Sequence, residues 1–358
     1  MMKSFQLVLS TLSISILAAC GGGSDDNDQN IKNSNTAQLS AGCAEAIPSQ
    51  DLIAITVGGN IGRAKFKTNE TILTIEYTSS GISGENWFNN RTLEIQSIDG
   101  SCHFMATGTE AKGQTVSLAS NRLGVASHPV WMTPVLLLGD IRTDIADAAG
   151  TYSMVRYQID QPRDNTAPAY RSSYATFVID DKGGWSFYKN GDINSALTAT
   201  GNIEKDQDSG RMLLVTGSGA DRVVRGKVFV SGTGDSKLLA FAENDPGDAE
   251  GSVTGLWVAA PQVPYSSFSG QIDGKYMTYN NDPLPEQKSI TVKGTTFTVD
   301  GKKTITAIAD QPITGLLTAT LDQPNYALVR SNLFAVISNE NYPDNSGGYL
   351  EIGVIPKK

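Results

Sequence analysis

Two histidines, His103 and His128, are the only side chains in the 358-residue sequence whose ordinary titration suits a general base near neutral pH. A serine–histidine–acid triad would have to use one of them. His103 follows Cys102 and alternates with Phe104 in a strand-like run, whereas His128 precedes Pro129 in a turn. Both therefore read as structural. No Gly-x-Ser-x-Gly elbow is present to raise a nucleophilic serine. Leu214-Val215-Thr216-Gly217-Ser218-Gly219 resembles the start of a dinucleotide loop, but Arg222 stands where the third glycine belongs and a strand follows from Val223. Without a helix N-terminus to receive a pyrophosphate, this stretch is a hairpin turn.

Carboxylates offer the remaining chemistry. Glu204, Asp206 and Asp208 form one acidic cluster; Glu243, Asp245, Asp248 and Glu250 form a second. Clustered oxygens on loops suit calcium, but neither cluster has the spacing of a calcium loop. They read as solvated turns, and no metal or cofactor is expected. Glycoside hydrolysis needs two carboxylates at a set separation, which a sequence does not reveal. An enzyme acting on cell-envelope glycans through loop carboxylates thus stays open as an alternative. Aromatic residues supply a binding reading. Trp185 and Phe187 share one strand face and read as core. Trp87, in a polar loop with Asn86, Asn89 and Asn90, and Tyr342, in a loop rich in Asn, Asp and Gly, are candidate anchors for a protein or glycan partner.

Cysteine usage indicates location. A run from Phe5 to Ala19, apolar but for Ser, Thr and one Gln, follows Lys3 and ends at Cys20. It is too short to span a bilayer and has the layout of a secretory leader. Its end, Leu17-Ala18-Ala19-Cys20, resembles the lipobox of bacterial lipoproteins. That resemblance implies cleavage before Cys20, a diacylglyceryl group on its sulfur and an acyl chain on its new N-terminus. Several acyl chains anchor stably where one would be marginal. In the same family Asp after the cysteine favours the inner membrane. Gly21 stands here, which implies the outer membrane. Gly21-Gly22-Gly23-Ser24-Asp25-Asp26 also resembles the start of several surface-displayed lipoproteins. The competing reading is an ordinary secretory leader with a chance cysteine. Cys43 and Cys102 remain, an even number for an oxidising compartment. A disulfide between them would close a loop of about 60 residues and stabilise by roughly 4 kcal/mol. Two buried free thiols are the alternative.

The formal charge of -9, with no basic cluster or stripe, excludes nucleic acid as an expected partner. It also disfavours adhesion to anionic headgroups, which leaves the membrane to be reached through the N-terminal lipid. Positions 1–19 read as a lipoprotein signal peptide and 20–42 as a disordered tether, since Gly, Ser, Asp, Asn and Gln cannot bury enough surface to offset ordering entropy.

Beyond the tether the chain reads as nearly all strand. Thr71–Tyr77, Met212–Thr216, Val223–Val230 and Ser289–Val292 alternate or run β-branched, with turns at Asp99-Gly100, Asn190-Gly191 and Asp300-Gly301 between them. Asp140–Ala149 is the best helical candidate. A faint repeat links Leu123–His128, Leu239–Asn244 and Phe334–Asn339, each followed by a proline turn and another apolar strand. The expected fold is all-β: two or three antiparallel β-sandwich or small β-barrel units at 43–140, 150–262 and 267–358, closed to hide their edges. A barrel with an empty interior would make a carrier of a small apolar ligand, a third functional reading.

Overall fold

The computed structural model describes residues 39–69, 72–79, 88, 90–98, 100–108, 113–130, 133–163, 167–189, 191–193, 197–245, 251–266, 271–279, 287–320, 324–338 and 348–355. The chain is all-β; two of its units are closed eight-stranded barrels, and the third, called barrel 3 below, is a nine-stranded sheet of like strand order. Barrel 1 comprises β1 (Leu52–Thr56), β2 (Ile61–Asn69), β3 (Ile72–Ser79), β4 (Thr92–Ser97), β5 (His103–Ala106), β6 (Thr115–Ser120), β7 (Leu123–Ser127) and β8 (Pro134–Leu138). Each strand pairs antiparallel with the next, and β8 returns to β1 through Ile53↔Leu138 and Ile55↔Leu136. A short helix, α1 (Ala41–Ala46), closes one end. It is started by Ser40, whose hydroxyl accepts from the Cys43 N–H at 3.3 Å, and it sends Cys43 and Ala46 into the barrel core.

A two-residue strand, β9 (Ile141–Arg142), and one 3-10 turn, Ile145–Ala148, replace the expected helix and lead to barrel 2. Its strands are β10 (Gly150–Pro162), β11 (Ala169–Ile179), β12 (Gly184–Lys189), β13 (Ala199–Lys205), β14 (Met212–Thr216), β15 (Val223–Ser231), β16 (Leu238–Asp245) and β17 (Gly251–Pro261). Pairing of β14 with β15 and of β10 with β17 closes the ring, and β9 adds to β15 through Val230↔Arg142. Barrel 3 comprises β18 (Gln271–Tyr279), β19 (Gln287–Lys293), β20 (Thr296–Val299), β21 (Lys303–Thr306), β22 (Ile308–Ala309), β23 (Leu316–Thr320), β24 (Pro324–Arg330), β25 (Leu333–Ser338) and β26 (Leu350–Val354). Here β21 pairs with β20 and β22 with β23; the two are the edges of the sheet, joined only through the chain at Ala307, and are counted below as one interrupted strand.

Each barrel is a meander whose first strand pairs with its last, so the three share one topology. The faint sequence repeat falls on the seventh strand of each: β7, β16 and β25. Its register is off by one in the first unit. Leu123 faces the same way as Leu238 and Leu333, not as Leu239 and Phe334. A one-residue slip moves a side chain to the other face of a strand, which a loose apolar pattern does not detect.

Alternation divides every central strand between two cores. On β16, Leu239 and Phe241 point into barrel 2, whereas Leu238, Ala240 and Ala242 point out of it. The outward set meets Leu123, Val125 and Leu136 of barrel 1 and Leu333, Ala335 and Ile352 of barrel 3 in one core shared by all three. The strands of that core are buried on both faces, hence continuous apolar runs such as Pro134–Leu138 instead of clean alternation. Hydrogen bonds edge the seams. Ser172 Oγ donates to the Ser338 carbonyl at 2.6 Å, and Ser231 Oγ to the Gly139 carbonyl at 2.6 Å. The hairpins leading into the seventh strands also meet, with Arg122 Nη2 donating to the Ser236 carbonyl and Ser331 Oγ to the Asp235 carbonyl, each at 3.3 Å. Ser331 and Asn332 hold φ of 51° and 70°, the double positive φ of a two-residue hairpin whose twist matches its strands.

Aromatic side chains line the interior of barrel 2. Phe177 sits 5.5 Å from Trp185, 6.4 Å from Phe187 and 5.1 Å from Phe241 at ring centroids, so Trp185 and Phe187 are core as expected. Trp185 also lies across Gly201, its partner on β13, where a Cβ would come within 2.6 Å of the indole.

The disulfide expected from composition is not formed. Cys43 and Cys102 are both buried free thiols, and their side chains hydrogen-bond to each other. That bond, and then burial, raises the Cys43 thiol, while accepting it lowers Cys102. Counting cysteines brought the right two residues together, but the covalent bond expected between them is absent. Packing and the Ser40 cap hold α1 on barrel 1 without a covalent link. Protein expressed without residues 1–20, which removes Cys20 with the leader, in a reducing cytosol should therefore give no alkylation by iodoacetamide while folded, and two modified cysteines after denaturation. Fast labelling of the folded protein would contradict the burial.

Candidate functional site

The most perturbed carboxyl among the described residues lies in the interior of barrel 2. On β16 the inward residues run Leu239, Phe241, Glu243, Asp245, so an apolar face turns acidic toward one end. Glu243 pairs across the sheet with Gly255 of β17, and Gly255 pairs in turn with Gln158 of β10. Gly255 has no side chain, so Gln158 and Glu243 reach each other over it. Gln158 Nε2 donates to both carboxylate oxygens at 2.9 Å, and Trp257 Nε1 donates to Oε2 at 2.7 Å. A Cβ at position 255 would sit 2.2 Å from the Tyr157 carbonyl, so both the strand spacing and the side-chain bridge call for glycine there.

One row deeper, Arg156 stands between Trp257 and Ser173. Its guanidinium lies over the rings of Phe187 and Trp257 at 5.1 and 5.5 Å, and its Nε donates to Ser173 Oγ at 3.0 Å. One row outward, Asp245 forms an ion pair with Arg225, which also donates from Nε to Thr216 Oγ1 at 2.9 Å. Arg225 reaches inward because β14 and β15 lose register between Leu214 and Val215. From outside, the β1–β2 turn of barrel 1 rests on the Glu243 backbone. There Gly59, at φ 76°, leaves no room for a side chain, since a Cβ would lie 2.1 Å from the Glu243 carbonyl.

Burial is the main cause that lifts Glu243 from 4.5 to about 7, and Arg156, Gln158 and Trp257 pull the other way. A carboxyl poised near neutrality has the titration of a general acid or base. Its surroundings do not suit catalysis. Both oxygens are engaged by donors, and the residue is 7% exposed. The arrangement can store or release one proton, with the Gln158 amide able to turn its oxygen toward a protonated carboxyl.

The residues singled out in the sequence fare differently. Glu243 and Asp245 are strand residues inside a barrel, not loop carboxylates, and their neighbours Asp248 and Glu250 lie outside the described residues. Asp206 sits in the β13–β14 turn, where the Ser209 hydroxyl, and then backbone amides, lower its pKa; Glu204 pairs with Arg222 at 2.8 Å. Among the described residues no cluster of three metal-ligating side chains occurs. His103 Nδ1 contacts Ser117 Oγ at 2.8 Å across β5 and β6, and His128 accepts from the Val130 N–H at 3.1 Å. His103 is 7% exposed and His128 is 0% exposed, so neither is presented to a substrate. The Gly217–Gly219 stretch is a turn between β14 and β15. Cys20, Trp87 and Tyr342 lie outside the described residues. Phe88, beside Trp87, is buried and stacks on Tyr77 at 5.8 Å.

No family model matches this chain, and no curated protein matches it. Among solved structures it is similar to a protein of unknown function from the DUF3598 family of Nostoc punctiforme, at 13% identity over 88% of this chain and 97% of that one, with a TM-score of 0.17.

Proposed function

We propose that this chain is an outer-membrane lipoprotein whose β-barrel head binds a partner or scaffolds the cell envelope without catalysis. One observation supports a binding rather than a carrying or catalytic role. The barrel interiors are packed with aromatic and aliphatic side chains, and the perturbed carboxyl among them has its oxygens occupied. A carrier needs an apolar cavity and a glycan hydrolase needs a cleft with two open carboxylates. On this reading the partner meets the outer surface; the candidate partners are proteins or glycans, with Trp87 and Tyr342 as candidate anchors.

Location rests on the lipobox. Lipid on Cys20 holds the protein, and the polar stretch that follows gives the head reach from the membrane. Cys20→Ser should move the protein from the membrane fraction to the soluble one without changing its unfolding transition. A variant still firmly bound to membranes contradicts the tether. Protease treatment of intact cells tests the role. Digestion of the head places it at the cell surface with an external partner, and full protection redirects the search to envelope assembly.

A further inference from the structure

We propose that the cleft between barrels 1 and 2 is a binding site for a small soluble ligand bearing two or more oxyanion groups, phosphate or carboxylate. The proposal does not depend on the lipid anchor. The cleft encloses about 380 Å³ and is walled by the start of β1, by β2, by the β9 linker and by the β13–β14 hairpin with β15. That volume falls in the range of small-molecule sites.

Its charge is unusual for a protein of net charge -9. Arg63 from β2, Arg142 from β9 and Arg211 from the β13–β14 turn all line it, so three separate elements each bring a guanidinium to one hollow. Arg63 and Arg211 form no ion pair among the described residues. Arg211 Nη1 and Arg142 Nε are shut off from solvent with no acceptor among the described residues. Buried N–H groups are normally satisfied, and an unsatisfied one points to a missing acceptor. Of the two acids lining the cleft, Asp140 is the partner of Arg142 within it, which leaves Arg63 and Arg211 as the guanidiniums without an ion pair there. Asp140 lies 3.2 Å from Arg142 and 3.8 Å from Arg122, and Asp51 lies 4.0 Å from Lys65.

The titration of the group agrees with this geometry. Burial, and then the nearby Arg63, lower the proton affinity of Arg211, with Asp206 as the compensating charge. Burial, and then Arg211, likewise lower Lys227, which pairs with Leu213 across the sheet. Like charges gathered at a half-buried place repel, and an oxyanion relieves that repulsion while accepting the unmet N–H bonds. Arginine forks fit the oxygens of phosphate and carboxylate in pairs. Ile53, Met212 and Phe229 complete the wall with apolar surface, which suits the body of an organic anion rather than a bare ion.

Inorganic pyrophosphate and citrate are the two probes, titrated into the full chain by calorimetry and by thermal unfolding at constant ionic strength. At least one should bind saturably, and the tighter one identifies the preferred oxyanion. Arg211→Gln should weaken that binding by about tenfold, and the double variant with Arg63→Gln by more. Lys302→Gln, on the exposed β20–β21 hairpin, removes the same charge far from the cleft in sequence and fold and should leave binding unchanged. Without probe, Arg211→Gln should melt at or above the wild-type temperature, because it removes repulsion. A purely structural arginine would give a lower melting temperature instead. No saturable binding of either probe overturns the site. So does binding that the double variant leaves intact or that Lys302→Gln weakens equally.

Discussion

Unfolding free energy should fall by about 3 kcal/mol as pH rises through the interval from 4.5 to 7, and Glu243→Gln should remove that fall. The sign follows from which state holds the proton. Burial raises the folded-state value of Glu243 to about 7 from an ordinary 4.5. Within the interval the unfolded chain has released this proton and the folded chain still holds it. Raising the pH therefore favours unfolding until the folded carboxyl also ionises, after which the curve is flat. Glu76, whose pKa is lowered by Lys67, acts with the opposite sign, but its window lies below 4.5. The groups around the carboxyl are Arg156 and Gln158 on β10, Trp257 on β17 and Asp245 on its own strand. Chemical denaturation at several pH values measures the slope, and the indole of Trp257, which donates to the carboxylate, offers a local fluorescence signal. A wild-type slope no different from that of Glu243→Gln would remove the proton-storing reading of the site.

The strands were legible because alternation and β-branching are local. Met212–Thr216 matches β14 residue for residue, and the hairpin at Asp300-Gly301 joins β20 to β21. Tertiary placement was less legible. Leu239, Phe241, Glu243 and Asp245 share a face by simple parity, so a strand reading continued through Glu243 would have carried the acids into the barrel. Clustered carboxylates ordinarily signal a loop, and that prior hid them. What admits Glu243 to the interior is a gap at Gly255, twelve residues away in sequence but adjacent in the sheet, with Gln158 and Trp257 supplying donors. The arginine cleft was invisible for the same reason: Arg63, Arg142 and Arg211 sit on elements far apart in the chain. Ser331-Asn332 makes a tight turn without the glycine that usually marks one.

Adjacent residues on β16 should separate the two kinds of core. Phe241 points into barrel 2, with its ring 5.1 Å from Phe177 and 5.5 Å from Trp257. Phe241→Ala leaves a cavity there and should cost about 3–5 kcal/mol. Ala240 points the other way, into the core where all three barrels meet, and is 0% exposed. Ala240→Glu places a carboxylate among apolar groups with no partner and should cost about 4 kcal/mol or more, although it adds atoms instead of removing them. The difference in reach matters more than the magnitudes. Hydrogen exchange measured along the chain should quicken mainly within barrel 2 for Phe241→Ala. For Ala240→Glu it should quicken on β7 and β25 as well, since Leu123, Val125, Leu333 and Ala335 of those strands belong to the same core. Exchange confined to barrel 2 in the Ala240→Glu variant would show that the barrels stand independently. The seam residues would then be surface contacts, and the head three linked modules in place of one packed unit.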